Sequence, residues 1–283
     1  MNVNPICTEL MEAANAVSTA PDDYINPADG LKYCGKCHTP KEALFPDGMS
    51  FNGSNKHPAH CECAARALAE KEAEEERKRH RNNVAMLRAE AFRDIPAALW
   101  RFDTAPTMTA QLAKAKQYAE KWNSFKQDGI GLLLFGDVGT GKTYAAGCIA
   151  NALIDREISV LMVSVSDAVN RMQGNFGADR DNYIKSLIRP ELLILDDLGA
   201  ERDTSFGKER VFDVINRRRL SGKPMIVTTN IPFGTMQKAQ DIGDRRIYDR
   251  ILEVCVPIRF DGENFRKENA QCNLEKAARL LRD

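Results

Sequence analysis

The feature that most constrains this chain is an eight-residue stretch, GDVGTGKT, at positions 136–143. It fits the phosphate-binding template G-x-x-x-x-G-K-[ST], and it lies between the apolar run GLLLF and the alanine-rich stretch YAAGCIANAL. Glycines let such a loop turn its backbone N–H groups towards phosphates, and a helix that begins after the loop adds the positive end of its dipole. The pattern therefore predicts a strand, a loop that binds the phosphates of ATP and a helix that begins near Lys142.

The residue types of this loop suit a nucleotide with its metal ion. We expect Lys142 to reach the β- and γ-phosphates and the Thr143 hydroxyl to ligate Mg²⁺. The loop residues predicted to contact the nucleotide are Gly136, Asp137, Val138, Gly139, Thr140, Gly141, Lys142 and Thr143.

Short apolar runs alternate with helical stretches from about position 94 to the C-terminus. The runs lie at 131–135, 160–163, 192–195, 225–228 and 254–260. This alternation predicts an α/β fold with a mainly parallel five-stranded sheet flanked by helices.

Two of these runs end in polar residues that complement a phosphate loop. The run LLIL leads into Asp196 and Asp197, and IVTT leads into Asn230. We expect Asp196 to hold Mg²⁺ through water, Asp197 to act as general base on the attacking water and Asn230 to position that water. The alternatives are an acidic surface turn for the aspartates and a simple turn former for the asparagine.

A cluster of arginines follows in GDRRIYDRILE, where Arg246 and Arg250 are spaced to project from one face of a helix. One interpretation is surface arginines, including Arg245, paired with neighbouring acids. The other is an arginine finger that completes the active site of a neighbouring subunit.

Four segments in matching order over residues 95–270 resemble the AAA+ ATPases of the DnaC/DnaI helicase-loader type and their IstB-type transposition relatives. The segments are GDVGTGKT, LLILDDLGAE, KPMIVTTN and RRIYDRILE followed by GENFR. The resemblance implies that Asp196 and Asp197 are the Walker B acids, Asn230 the sensor-1 residue and Arg250 the arginine finger. It also implies that Arg266 is the sensor-2 arginine, which contacts the nucleotide of its own subunit.

The second Walker B acid is Asp197, where most AAA+ proteins have Glu. Loaders of this type often carry Asp, so the resemblance implies slow, partner-stimulated hydrolysis. It also implies that an extra helical element at 164–190 lines a path for single-stranded DNA. Its candidate phosphate contacts, which are equally well interpreted as scattered surface cations, are Arg171, Arg180, Lys185 and Arg189.

The N-terminal part carries two close pairs of cysteines, Cys34-x2-Cys37 and Cys61-x-Cys63. Two such pairs suit a tetrahedral zinc site with four sulfur ligands. His38, His57 and His60 are possible substitutes for one ligand. A redox C-x-x-C is disfavoured because the surrounding pattern is not that of a thioredoxin-like fold.

We expect three parts in the chain: an N-terminal region with the zinc module at 1–65, a charged linker helix at 66–93 and the ATPase domain at 94–283. Forty basic residues balance forty acidic ones, so the overall charge does not indicate a nucleic-acid partner. The chain shows neither a signal peptide nor a membrane-spanning run, and eight cysteines without a secretion signal favour reduced thiols. We therefore expect a cytoplasmic protein with no membrane partner.

Together these features predict an ATP-dependent loader of a replicative hexameric helicase onto single-stranded DNA, which self-associates through its ATPase domain. One alternative is an IstB-like ATPase that serves a transposase. The other is a non-catalytic adaptor that binds ATP and zinc only to hold its shape.

Overall fold

The computed structural model describes residues 22–92, 95–174, 177–200 and 204–281. The sequence also allows a possible helix near positions 8–17, and this segment lies outside the described ranges. The chain divides into two compact units, Met1–His80 and Arg81–Asp283.

The first unit is built from two small antiparallel pairs of strands. Strand β1 (Tyr24–Ile25) pairs with β2 (Lys32–Tyr33), and β3 (Glu42–Leu44) pairs with β4 (Lys56–Pro58). Within residues 22–80, Cys34 and Cys61 are the only buried apolar side chains. A unit with so little apolar core needs another source of stability, such as a metal ion.

Helix α1 (Glu62–Ala91) is long, charged and mostly exposed, and it corresponds to the predicted linker helix. Exposed ion pairs between Lys71 and Glu75 and between Glu76 and Arg79 follow its surface. The division of the chain into two units falls between His80 and Arg81, inside this helix. The domain boundaries at 65/66 and 93/94 remain predictions.

The second unit contains a five-stranded sheet in which every pairing is parallel, in the order β6-β7-β8-β5-β9. Its strands are β5 (Gly131–Gly136), β6 (Val160–Ser164), β7 (Leu192–Leu198), β8 (Met225–Thr229) and β9 (Cys255–Phe260). The predicted fold class is confirmed. Four strands extend one to three residues beyond the predicted C-terminal ends, because pairing continues into polar residues that the apolar runs do not include.

Helices cover both faces of this sheet, as two separate hydrophobic clusters show. The helices after α1 are α2 (Ala110–Glu120), α3 (Trp122–Gln127), α4 (Lys142–Ile154), α5 (Val165–Gly174), α6 (Ala178–Ile188), α7 (Ser205–Leu220), α8 (Phe233–Gln237), α9 (Ile242–Val254) and α10 (Phe265–Leu280). Helices α2 and α4 pack on one face, and α5, α7 and α9 on the other. Among the described helices, none has the length and apolar character needed to cross a bilayer.

The strand order determines where a site can form. Strands β7, β8 and β5 are neighbours and run in the same direction, so the loops that follow them lie at one edge of the sheet. This carboxyl edge is where open α/β sheets bind ligands.

Candidate nucleotide-binding site

The loop between β5 and α4 has a backbone that favours glycine at two positions. Gly136 has φ +134°, and a Cβ atom there would lie 2.0 Å from the carbonyl oxygen of Phe260. Gly139 has φ +84°, and its Cβ would lie 2.0 Å from the Asn264 side chain. At Gly136 the clash is with backbone, so packing as well as the turn requires glycine there; at Gly139 the Asn264 side chain could move, and the positive φ favours glycine.

Lys142 is the first residue of α4, and its side chain folds back over the loop. Its Nζ donates to the carbonyl oxygens of Gly136 (2.8 Å) and Asp137 (2.6 Å). Lys142 is largely buried, and burial lowers its pKa. A buried ammonium whose hydrogen bonds go to neutral carbonyls suits an anionic ligand such as a phosphate.

Asp196 on β7 lies beside Thr143 on α4. The buried Asp196 carboxylate accepts a 2.7 Å hydrogen bond from the Thr228 hydroxyl and another from the Thr143 hydroxyl. Burial raises the pKa of Asp196, while these two hydrogen bonds oppose the shift. The two predicted magnesium ligands are thus in direct contact. Both offer the oxygen donors that Mg²⁺ prefers, so this donor set fits the ion.

Asp197 has an unusual backbone conformation, with φ +59°. Here β7 shifts its register against β8 between Leu195 and Leu198. The Asp197 amide donates to the Thr228 hydroxyl (2.9 Å), and its carboxylate accepts from the Asn230 side-chain amide (3.0 Å). The structure therefore brings the second acid and the predicted water-positioning residue together. Sequence reasoning missed Thr228, because a threonine inside a strand is common on β-propensity grounds alone.

The start of helix α10 touches the phosphate loop. The Phe265 amide donates to the Gly139 carbonyl oxygen (3.1 Å), and the Asn264 side chain accepts from the Arg266 and Lys267 amides. The positive charge of Arg266 contributes to the lowered pKa of Lys142. The predicted sensor-2 residue therefore lies near the loop of its own chain.

The predicted arginine finger lies on helix α9. Arg250 donates to Glu253 (2.9 Å), which also accepts from Arg219 (2.9 Å). The guanidinium of Arg246 lies 4.1 Å from the centre of the Phe212 ring, and Arg245 is exposed. In the single chain Arg250 is thus an ion-paired surface residue, 41% exposed, which leaves its role at a subunit interface a prediction.

The predicted DNA-facing segment forms helices α5 and α6, which carry Arg171, Arg180 and Lys185, while Arg189 directly follows α6. Arg180 donates to the Met172 carbonyl oxygen (3.0 Å) and stacks on Phe206, so it contributes to packing. Lys185 pairs with Asp181 (2.8 Å). Arg171 and Arg189 are exposed.

The four cysteines of the first unit form a compact cluster. The Sγ atoms of Cys34, Cys37, Cys61 and Cys63 all lie within 4.8 Å of one another. Two of the sulfur pairs, Cys34–Cys63 and Cys61–Cys63, are 3.6 and 3.3 Å apart. Sulfur atoms about 2.3 Å from a tetrahedral zinc ion lie about 3.8 Å from one another, so the spacing fits zinc.

The chemistry of this cluster also suits a metal. A hydrogen bond with the Thr39 hydroxyl lowers the pKa of Cys37 to about 5, which favours the thiolate that binds zinc. Hydrogen bonds with the other cysteines, Cys61 first, raise the pKa of Cys63 to about 12, so this thiol keeps its proton in the metal-free cluster and would release it on binding zinc. Among the described residues, the group of side chains close enough together to hold a metal consists of the four cysteines. It does not include His38, His57 or His60.

The strand order of the sheet, the loop after β5 and the paired acids near the end of β7 define a P-loop ATP-binding protein of the AAA+ class. The chain belongs to the family of IstB-like ATP binding proteins, which it matches over residues 55–272. The predicted resemblance to helicase-loader ATPases is confirmed by individual relatives.

The chain is 25% identical over 264 residues to the replicative helicase loader DnaI of Bacillus subtilis (strain 168), and the match covers 86% of this chain and 81% of DnaI. It is 29% identical over 144 residues to the replicative helicase loader DnaC of Escherichia coli (strain K12), covering 50% of this chain and 56% of DnaC. A crystal structure of the DnaC helicase loader matches with a TM-score of 0.50 at 23% identity, over 57% of this chain and 97% of that one. That structural likeness shows the fold alone.

Proposed function

We propose that this chain loads a replicative hexameric helicase onto single-stranded DNA and that ATP controls the loading. The observation that carries the proposal is the joint placement of Lys142, Asp196, and the Asp197–Asn230 pair at one edge of the sheet. This site occurs in a chain that aligns along most of its length with a protein named a replicative helicase loader. A replicative helicase as partner implies that the protein acts in the cytoplasm.

At this site the loop amides of residues 136–143 and Lys142 bind the phosphates of ATP. Thr143 and Asp196 hold Mg²⁺, which when bound supplies positive charge to the phosphate oxygens. Asp197 accepts a proton from the attacking water, and Asn230, hydrogen-bonded to Asp197, orients both. The Asp197 side chain is one carbon shorter than the glutamate of most AAA+ proteins, which agrees with slow hydrolysis.

Self-association completes the site in this proposal. Arg266 contacts the nucleotide within its own chain, and Arg250 supplies an arginine finger to the neighbouring one. The ion pair that holds Arg250 to Glu253 is exposed. Exposed ion pairs contribute at most about 1 kcal/mol, so the guanidinium can exchange this partner for a phosphate at small cost.

The first unit serves as the helicase-binding module, with Cys34, Cys37, Cys61 and Cys63 holding a structural zinc ion. The helices α5 and α6 line the path of the DNA strand, where Arg171, Lys185 and Arg189 are the exposed members of the four candidate cations. Contacts of this kind are salt-sensitive and largely independent of sequence.

Two variants of the full chain test the proposal against one matched control. Lys142→Ala should lower ATP hydrolysis at least ~100-fold, since the phosphate contacts and the transition-state charge stabilisation are lost together. Cys37→Ser should release the zinc and abolish capture of a hexameric helicase. Lys114→Ala, an exposed lysine on α2, should leave both activities unchanged. Normal hydrolysis by Lys142→Ala, or no helicase binding by the unaltered chain, would overturn the proposal.

The family match supports a second candidate, an ATPase that serves a transposase, because the family is described by its IstB-like members. This candidate uses the same nucleotide site. Capture of a transposase in place of the helicase by the unaltered chain would favour it. The non-catalytic adaptor is distinguished by the absence of multiple-turnover hydrolysis with and without single-stranded DNA.

A further inference from the structure

Thr228 is a buried hydroxyl at the centre of the candidate site. It lies on β8, between β7 and β5, and is 1% exposed. Its Oγ1 lies 2.7 Å from a carboxylate oxygen of Asp196 and 2.9 Å from the amide nitrogen of Asp197. One hydroxyl therefore contacts both acids, through the side chain of one and the main chain of the other.

The direction of these two hydrogen bonds is fixed by chemistry. A backbone N–H can only donate, so the Thr228 oxygen accepts from Asp197. An ionised carboxylate can only accept, so the Thr228 hydroxyl proton goes to Asp196. In a single orientation the hydroxyl thus donates one hydrogen bond and accepts another. This orientation fixes the Asp196 side chain relative to the Asp197 backbone.

The Asp197 backbone needs such support. A residue other than glycine at φ +59° is in the left-handed region, which L-residues adopt at an energetic cost. The register shift between Leu195 and Leu198 also removes regular ladder hydrogen bonds at this point. The bond to Thr228 replaces one of them. Two residues further along, Asn230 holds the Asp197 carboxylate, so the backbone and the side chain of Asp197 have separate supports from one segment.

We infer that Thr228 is a positioning residue for ATP hydrolysis: it sets the geometry between the magnesium-holding Asp196 and the proton-accepting Asp197. The inference rests on the proposed ATPase function. Without the hydroxyl, Asp196 loses the hydrogen bond that orients its carboxylate relative to Asp197, and the left-handed turn at Asp197 loses its anchor. A misplacement of about 1 Å in such a site can lower a rate ~100-fold.

The test compares Thr228→Val, which keeps the shape and removes the hydroxyl, with Thr228→Ser, which keeps the hydroxyl. We expect kcat for ATP hydrolysis to fall at least ~10-fold in Thr228→Val and to stay within ~3-fold of the unaltered chain in Thr228→Ser. The Mg²⁺ concentration for half-maximal hydrolysis should rise in Thr228→Val. Affinity for a fluorescent ATP analogue without Mg²⁺ should not change.

Thr229→Val is the matched control. Thr229 is equally buried on the same strand, but its hydroxyl donates to the Leu198 carbonyl oxygen and does not contact an acid. A merely structural role for Thr228 would lower the thermal midpoints of both valine variants and leave the Mg²⁺ dependence of both unchanged. That result, or full hydrolysis by Thr228→Val, would overturn the inference.

Two further measurements separate the possible failures. If Thr228→Val does not fold, Thr228→Cys replaces it, since a thiol of similar size bonds weakly to both acids; normal kcat in that variant would contradict the inference. If the unaltered chain does not hydrolyse ATP, the proposed function fails. The inference is then decided by nucleotide binding: Mg²⁺ should strengthen binding of the ATP analogue to the unaltered chain and not to Thr228→Val.

Discussion

At the residue scale, Asp196 combines burial with a proposed role that requires negative charge. Burial raises the pKa of Asp196 in the folded protein. The ionised carboxylate therefore destabilises the folded state at pH values above this pKa, and the destabilisation disappears as the pH falls through the raised pKa towards the pKa of the unfolded chain. Mg²⁺ binding needs the ionised carboxylate. As the pH falls from neutral towards the values at which Asp196 becomes protonated, this residue should therefore destabilise the folded protein less. Over the same pH range, Mg²⁺-dependent nucleotide binding should weaken.

Asp196→Asn should separate these two effects. The variant removes a buried charge, so we expect a higher thermal midpoint of the nucleotide-free protein at pH 7. It also removes a magnesium ligand, so Mg²⁺ should no longer strengthen nucleotide binding, a loss of at least ~10-fold in affinity. Asp213→Asn, on the ion-paired surface of α7, is the control and should retain the Mg²⁺ effect. A less stable Asp196→Asn protein with intact Mg²⁺ dependence would contradict this account.

The residues of this site were predictable from the sequence to different degrees. Lys142, Asp196, Asp197 and Asn230 follow apolar runs, and parallel strands bring the ends of such runs to one edge. Thr228 was not predictable, because its importance depends on the register of β8 against β7 and on the break in that register. A hydrophobic pattern carries no signal for either.

At the element scale, Arg218 connects four parts of the ATPase unit. This fully buried arginine on α7 donates to the carbonyl oxygens of Ile188, Pro190, Glu191 and Pro224. It thereby attaches the end of α6 and the segments before β7 and β8 to α7. Burial lowers the pKa of Arg218 to about 10, so it stays charged at neutral pH.

Arg218→Met should therefore lower the free energy of unfolding of the ATPase unit by about 3 kcal/mol or more, because four carbonyl groups lose a buried, charged donor. Denaturant unfolding followed by circular dichroism measures the change. The neighbouring Arg217, ion-paired at the surface, provides the control, and Arg217→Ala should cost less than about 1 kcal/mol. An equal decrease in the free energy of unfolding in the two variants would show that the buried hydrogen bonds of Arg218 do not stabilise the unit more than a surface ion pair does.

The elements themselves were largely predictable. All five strands lie where apolar runs alternate with helical stretches, because burial of a parallel sheet on both faces demands such runs. The continuation of β7 to Leu198 was missed, since it passes through two aspartates whose charges suggest a surface turn. The short helices α3 and α8, of six and five residues, span too few turns to give a periodic signal.

At the scale of the whole molecule, the proposed sharing of a site between neighbouring chains can be tested by mixing variants. Lys142→Ala lacks a working phosphate loop and keeps Arg250, whereas Arg250→Ala keeps the loop and lacks the finger. Each should be inactive alone. In an equal, randomly assembled mixture about a quarter of the interfaces join an intact loop to an intact finger, so hydrolysis should return to about a quarter of the normal rate. No recovery at any mixing ratio would place Arg250 outside a shared site.

The central claim is that the chain places a ring-shaped helicase on single-stranded DNA under the control of ATP. The most direct measurement is the amount of hexameric helicase retained on closed circular single-stranded DNA, which a ring cannot enter from an end. We predict retention with the unaltered chain and ATP, and a loss of at least ~10-fold when Lys142→Ala replaces it. Equal retention with and without the chain, or normal retention with Lys142→Ala, would contradict the claim.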